Sequence, residues 1–107
     1  MSNTQKRGLI LSKQFSKDIV RLKSSGLKDS WKKPFNELIS DLCIDAPLDP
    51  GYCDHPLKHS PWVGYRDAHV LGDLVLIYKK TGDRVKGTGV LELARIGSHS
   101  ELFGKKK

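Results

Sequence analysis

Val63-Gly64-Tyr65-Arg66-Asp67-Ala68-His69-Val70, then Leu71-Gly72-Asp73, then Leu74-Val75-Leu76-Ile77-Tyr78-Lys79: this stretch decides the fold of the 107-residue chain. Two runs rich in strand formers flank a turn with Gly at its centre, which predicts an antiparallel hairpin. Thr81-Gly82-Asp83 reads as a second turn, and Val90 to Ile96 as a third strand. Consecutive strands with short connections imply a meander.

Upstream the period changes from two to about 3.6. Phe15, Ile19 and Leu22 have the spacing of a buried helical stripe, while Lys13, Lys17 and Arg21 fall on the opposite side. Ser12 is a candidate N-cap, and Leu9-Ile10-Leu11 before it reads as a short first strand. Ser24-Ser25-Gly26 should end this helix, with Gly26 free to turn left-handed. Trp31, Phe35, Leu38, Ile39 and Leu42 predict a second helix from about Ser30 to Ile44, which requires Pro34 to lie in or near its first turn. Residues 45–62 hold four of the five prolines and form the one long irregular segment, a kind of loop that often carries function. The expectation is one α+β domain over residues 1–107, with a short N-terminal strand and two helices packed on an antiparallel sheet of about four strands.

The chain carries a net charge of +7, which favours a polyanionic partner because clustered Lys and Arg displace counterions from phosphates. No apolar run is long enough for a membrane span, and Met1 to Arg7 lacks the apolar core of a signal peptide, so a cytoplasmic location is expected. Cys43 and Cys53 make no Cys-x-x-Cys motif and read as ordinary thiols. Cys53-x-His55-x-x-x-His59 has ligand types suited to zinc but lacks the paired spacing of a finger, so no metal or other cofactor is expected.

Three histidines stand where strands or loops begin or end: His55 in Asp54-His55-Pro56-Leu57, His69 in Arg66-Asp67-Ala68-His69, and His99 in Arg95-Ile96-Gly97-Ser98-His99-Ser100-Glu101-Leu102-Phe103. Imidazole exchanges protons near neutral pH, so several histidines in a basic chain suggest acid–base chemistry on an anion, with RNA the favoured one.

In order and spacing, Asp54-His55-Pro56-Leu57, Gly64 to Val70, Asp73 with Leu76-Ile77-Tyr78-Lys79, and Arg95 to Phe103 resemble the YafQ branch of the RelE superfamily, toxins of bacterial type II toxin–antitoxin pairs. The resemblance spans roughly residues 8 to 104. It implies an mRNA interferase, an endoribonuclease that cuts the message in the ribosomal A site without a metal. By position, His55, His69, Asp73 and His99 match the family's catalytic set, with His55 as general base and His99 as general acid. Asp67 and Phe103 match residues that orient the RNA. The resemblance also implies a cognate antitoxin, with operator DNA contacted only through the antitoxin complex.

The chemistry of the residues is compatible with that assignment. RNA supplies its own nucleophile, so a nuclease need only deprotonate the 2′-hydroxyl, stabilise charge on the phosphorane and protonate the leaving oxygen. Arg95, four residues before His99, is the first candidate for the phosphate, and Arg66 is the alternative. Asp73 can hold a histidine in its working tautomer, and Phe103 can stack on a base. The cationic face of Lys13, Lys17 and Arg21 is expected to grip ribosomal RNA while the histidines meet the message. Plainer readings exist: His55 as a turn residue, Asp67 and Asp73 as surface carboxylates, Phe103 as packing, His59 as a loop residue. Two further function classes remain open, a non-enzymatic RNA-binding module and an inactive homologue that binds antitoxin and regulates its operon.

Overall fold

A computed structural model describes residues 5–26, 28–59 and 61–104. The N-terminal end of Met1 to Arg7 and the Lys105-Lys106-Lys107 tail lie wholly or partly outside them. The chain runs β1 (Gly8–Leu11), α1 (Lys13–Lys23), α2 (Lys32–Cys43), a 3₁₀ turn (Pro50–Tyr52), β2 (His55–Pro56), β3 (Arg66–Leu71), β4 (Leu74–Thr81), β5 (Val90–Ser98) and α3 (His99–Phe103).

Ser12 caps α1, its Oγ accepting from the Phe15 amide at 2.9 Å, and it also donates to the Ala94 carbonyl at 2.7 Å. Pro34 sits in the first turn of α2, where its missing N–H costs nothing. Gly26 does not adopt the left-handed conformation expected of it. Instead α1 ends at Ser24, whose amide donates to the Arg21 carbonyl, and the Ser25 hydroxyl satisfies the Leu22 carbonyl. The predicted turn glycines behave as expected: Gly72 and Gly82 both have positive φ, and a Cβ at Gly82 would strike the Thr88 carbonyl.

The meander is present as β3–β4–β5, antiparallel throughout. The sheet has five strands rather than about four, in the order β1-β5-β4-β3-β2, and it is mixed because β1 pairs parallel with β5. Two helices and three strands separate β1 from its partner in sequence, so the chain can return in either direction and a hairpin does not dictate the pairing. The strand missed was β2, two residues inside the irregular segment; so short an element containing Pro56 shows no periodicity.

Alternation along the strands divides the sheet into two faces. Ala68, Val70, Leu74, Leu76, Tyr78, Leu91, Leu93 and Ile96 meet Phe15, Leu22, Leu38 and Leu42 from the two long helices and Trp31 just before α2, forming the main core. Each fully buried Leu there contributes about 1.5–3 kcal/mol. On the opposite face Val75, Ile77, Ala94 and Leu102 form a smaller cluster with Leu57, Trp62 and Tyr65. α3 and the loop after β2 cover only part of that second face. Asp67 and His69 point to it, because they alternate with the core residues Ala68 and Val70.

Candidate active site

β2 pairs with β3 so that His55 stands opposite Asp67. His55 Nδ1 lies 3.0 Å from the Cys53 carbonyl and 3.0 Å from Asp67 Oδ1. A carbonyl can only accept, so Nδ1 carries the proton and donates it to Cys53, leaving Nε2 with a free lone pair. That donation leaves Asp67 Oδ1 without a hydrogen bond despite its close approach to the ring. Asp67 is 2% exposed, and burial pushes its carboxyl above the usual range, with the nearby His55, His69 and His99 countering the shift.

His99 is the first residue of α3. Ser98 and Glu101 form a reciprocal capping box at the start of this helix, and this Ser-x-x-Glu signal was present in the sequence although the helix itself was not predicted. His99 Nδ1 lies 2.7 Å from Asp73 Oδ1 in the β3–β4 turn. The contact holds the Asp73 carboxyl below the usual range and fixes the proton on Nδ1, leaving Nε2 out of that hydrogen bond. The His69 and His99 rings meet edge-on with centroids 5.1 Å apart, and Phe103 lies one helical turn on, 5.8 Å from His99. His55, Asp67, His69, Asp73, His99 and Phe103, drawn from β2, β3, the β3–β4 turn and α3, therefore gather on one side of the sheet.

The two arginines do not behave alike. Arg66 points to the helix face, where its Nε and Nη2 donate to Asp54 at 3.2 and 2.8 Å, away from the histidines. The Tyr78 hydroxyl donates to the same carboxylate. Burial would raise the Asp54 carboxyl, but Arg66 and Tyr78 together hold it below the usual range. Arg95 lines the surface groove beside His99, and its Nε and Nη2 donate to Asp18 at 2.8 and 2.9 Å. Arg21 also turns toward Asp18, and toward Glu101, so it does not project with the exposed Lys13 and Lys17.

Sequence reasoning missed Asp18 and Asp54. Asp18 is 1% exposed on the buried side of α1, three residues after Phe15 and four before Leu22. A carboxylate at a core-facing helical position was the available signal, since such a group must find a cationic partner. Cys43 is buried and Cys53 exposed, both as free thiols. Among the described residues no three His, Cys, Asp or Glu side chains are grouped to hold a metal ion.

The family model described as "Bacterial toxin of type II toxin-antitoxin system, YafQ" matches residues 7–104, which places the chain among the small toxins of the type II toxin–antitoxin class. The chain belongs to the YafQ toxin family. It is 43% identical over 100 residues to a protein named mRNA interferase toxin YafQ from Escherichia coli strain B / BL21-DE3, covering 92% of this chain and 97% of that one. Among solved structures it resembles the toxin in the E. coli DinJ-YafQ toxin–antitoxin complex, with a TM-score of 0.70, 41% identity, and 92% and 98% of the two chains covered. It also resembles a copper-bound mutant of a toxin from Helicobacter pylori, with a TM-score of 0.75, 39% identity, and 91% and 99% covered.

Proposed function

We propose that this toxin is an mRNA interferase, an endoribonuclease that enters the ribosomal A site and cuts the message by acid–base chemistry without a metal. The observation that carries the reading is that His55 and His99 share one open face, each with Nδ1 tied to an acceptor and Nε2 left for substrate. His55 Nε2 takes the proton of the 2′-hydroxyl, the alkoxide attacks the adjacent phosphorus, and His99 Nε2 delivers a proton to the leaving 5′-oxygen. The products are a 2′,3′-cyclic phosphate and a 5′-hydroxyl. Arg95, oriented by Asp18, supplies positive charge to the phosphorane, and His69, packed against His99, helps to position the acid. Arg66 serves instead to anchor Asp54, next to the base. Asp67 lies beneath the surface and acts on the RNA through the histidine above it, whereas Phe103 is exposed enough to stack on a base.

The naming of E. coli relatives as mRNA interferases supports this reading, and the DinJ-YafQ complex of a relative supports a cognate antitoxin that masks the toxin. Operator DNA is reached only through that antitoxin complex. Among the described residues no helix is long and apolar enough to cross a membrane, which suits a toxin acting on cytoplasmic ribosomes. Of the expected cationic face of α1, Lys13 and Lys17 are left to contact ribosomal RNA. Residues 1–107 act as one toxin domain.

The test is the end chemistry of cleaved mRNA on purified ribosomes. A cyclic phosphate and 5′-hydroxyl, formed in EDTA and on RNA but not DNA, are expected. Loss of cutting on chelation with rescue by a metal ion would instead point to a metal-activated water.

A further inference from the structure

Beyond His99 the open face continues into a groove of about 1000 Å³. One wall is the segment that follows β2, with Lys58, His59 and Trp62; the other runs from Arg95 and His99 to Phe103. Among the described residues no Asp or Glu lines it, although Asp18 and Asp73 pair with Arg95 and His99 from outside the lining. Two other hollows differ in this respect: the one under Arg66 holds Asp49 and Asp54, and the one beside α1 holds Asp18, Asp73 and Glu101. Ring faces beside cations, with carboxylates absent, are what single-stranded nucleic acid binds, because bases stack while phosphates are neutralised. Trp62 is held from behind by Tyr65, edge to face with centroids 5.3 Å apart, so its ring is preset rather than free to collapse.

The position of His99 gives the groove a polarity. A general acid touches the oxygen that leaves, and that oxygen belongs to the nucleotide 3′ of the cut. The groove begins at His99 and does not include His55, the base on the 2′-hydroxyl side. We propose that it is the subsite for the nucleotide 3′ of the scissile bond: its base lies against Trp62 and Phe103, its downstream phosphate meets Lys58, and His59 contacts the base edge. Lys58, His59 and Trp62 thereby set sequence preference on that side of the cut. This inference rests on the assignment of His99 as the acid.

The test compares Lys58→Ala, His59→Ala and Trp62→Ala toxins with the parent on programmed ribosomes carrying messages varied at the nucleotide after the cut. Expected are a rise in KM of about tenfold for Trp62→Ala, in line with the loss of one stacked base, and a flattened preference at that nucleotide, with kcat changing less. Lys58 and His59 are exposed, so their variants keep the measurement interpretable should removal of Trp62 disturb the cluster with Tyr65. Unchanged KM and unchanged preference in all three, while His99→Ala still abolishes cutting, would overturn the subsite and leave the acid–base reading intact. Full activity of His99→Ala would overturn that reading itself. Variants that weaken only antitoxin binding would make the groove a protein-docking surface and refute the RNA assignment.

Discussion

The Asp18 carboxylate in α1 and the Arg95 guanidinium in β5 form a two-pronged ion pair at 2.8 and 2.9 Å, at a site where Asp18 is almost completely buried. The same carboxylate accepts the Ile96 amide at 3.0 Å and Arg21 at 2.9 Å, and Arg21 reaches on to Glu101, which caps the helix that begins with His99. One residue on the long helix therefore ties down the strand and the short helix that present the proposed acid.

Asp18→Asn keeps the shape and removes the charge, leaving Arg95 partly buried without its counter-ion. Breaking one half of a buried pair costs about 3–5 kcal/mol, so urea unfolding should show a large loss of stability. Cutting should also fall in whatever fraction remains folded. A variant as stable as the parent would show that the pair is ornamental.

Acid should unfold the protein through identifiable carboxyls. Asp18 and Asp54 are held below the usual carboxylate range in the folded state, by their partners and against burial, and Asp45 is held low by Arg7 and Lys80. A depressed folded value means stability is fully present above the ordinary carboxylate range and drains away as pH falls below it. Asp67, raised by burial, has the opposite sign and favours the fold as it protonates. With Asp73, held low by His99, four depressed carboxyls stand against one raised, which predicts a net fall in melting temperature on acidification, and Asp54→Asn and Asp45→Asn should each flatten it.

Tyr78→Phe removes the hydroxyl that donates to Asp54, the residue before His55. Leaving that acceptor under-satisfied costs about 1–3 kcal/mol, read as a lower melting temperature. Because the loosened residue adjoins the proposed base on a two-residue strand, kcat should fall more than KM rises. A change in stability with no change in kcat would confine Tyr78 to the core.

Asp73→Asn can offer an amide N–H to His99 and drive its proton to the other nitrogen. Asp73 is exposed, so the fold should be unaffected while cleavage falls by roughly tenfold or more, toward the lower end of what an acid–base group contributes. The check is single-turnover cleavage alongside a melting curve.

Lys13→Glu with Lys17→Glu should weaken ribosome association and lower the salt slope of log K by about 0.9 for each phosphate no longer neutralised. Antitoxin binding and melting temperature should hold. Arg21 behaves differently, because it is engaged by Asp18 and Glu101; Arg21→Glu should destabilise the fold as well. Equal ribosome binding by the doubly reversed protein would remove α1 from the interface.

Local chemistry was enough to read the hairpin, although its first strand begins at Arg66 and residues 63–65 belong to the preceding turn, together with the Ser12 cap and the stripe of Phe15, Ile19 and Leu22, because turn residues and periodicity act over a few positions. His55, His69, Asp73 and His99 were legible as a set only through the resemblance to the YafQ branch, whose motifs are read along the chain. Tertiary structure decided what depends on distant partners. The parallel pairing of Gly8–Leu11 with Val90–Leu93 spans most of the chain, and no neighbouring residue encodes it. The pleat sends Arg66 to the helix face and Asp67 to the open one, so adjacent letters acquire unrelated environments. Asp18 meets Arg95 only after α1 has packed on β5, and burial then makes that pairing obligatory, since a carboxylate removed from water must be neutralised where the fold has placed it.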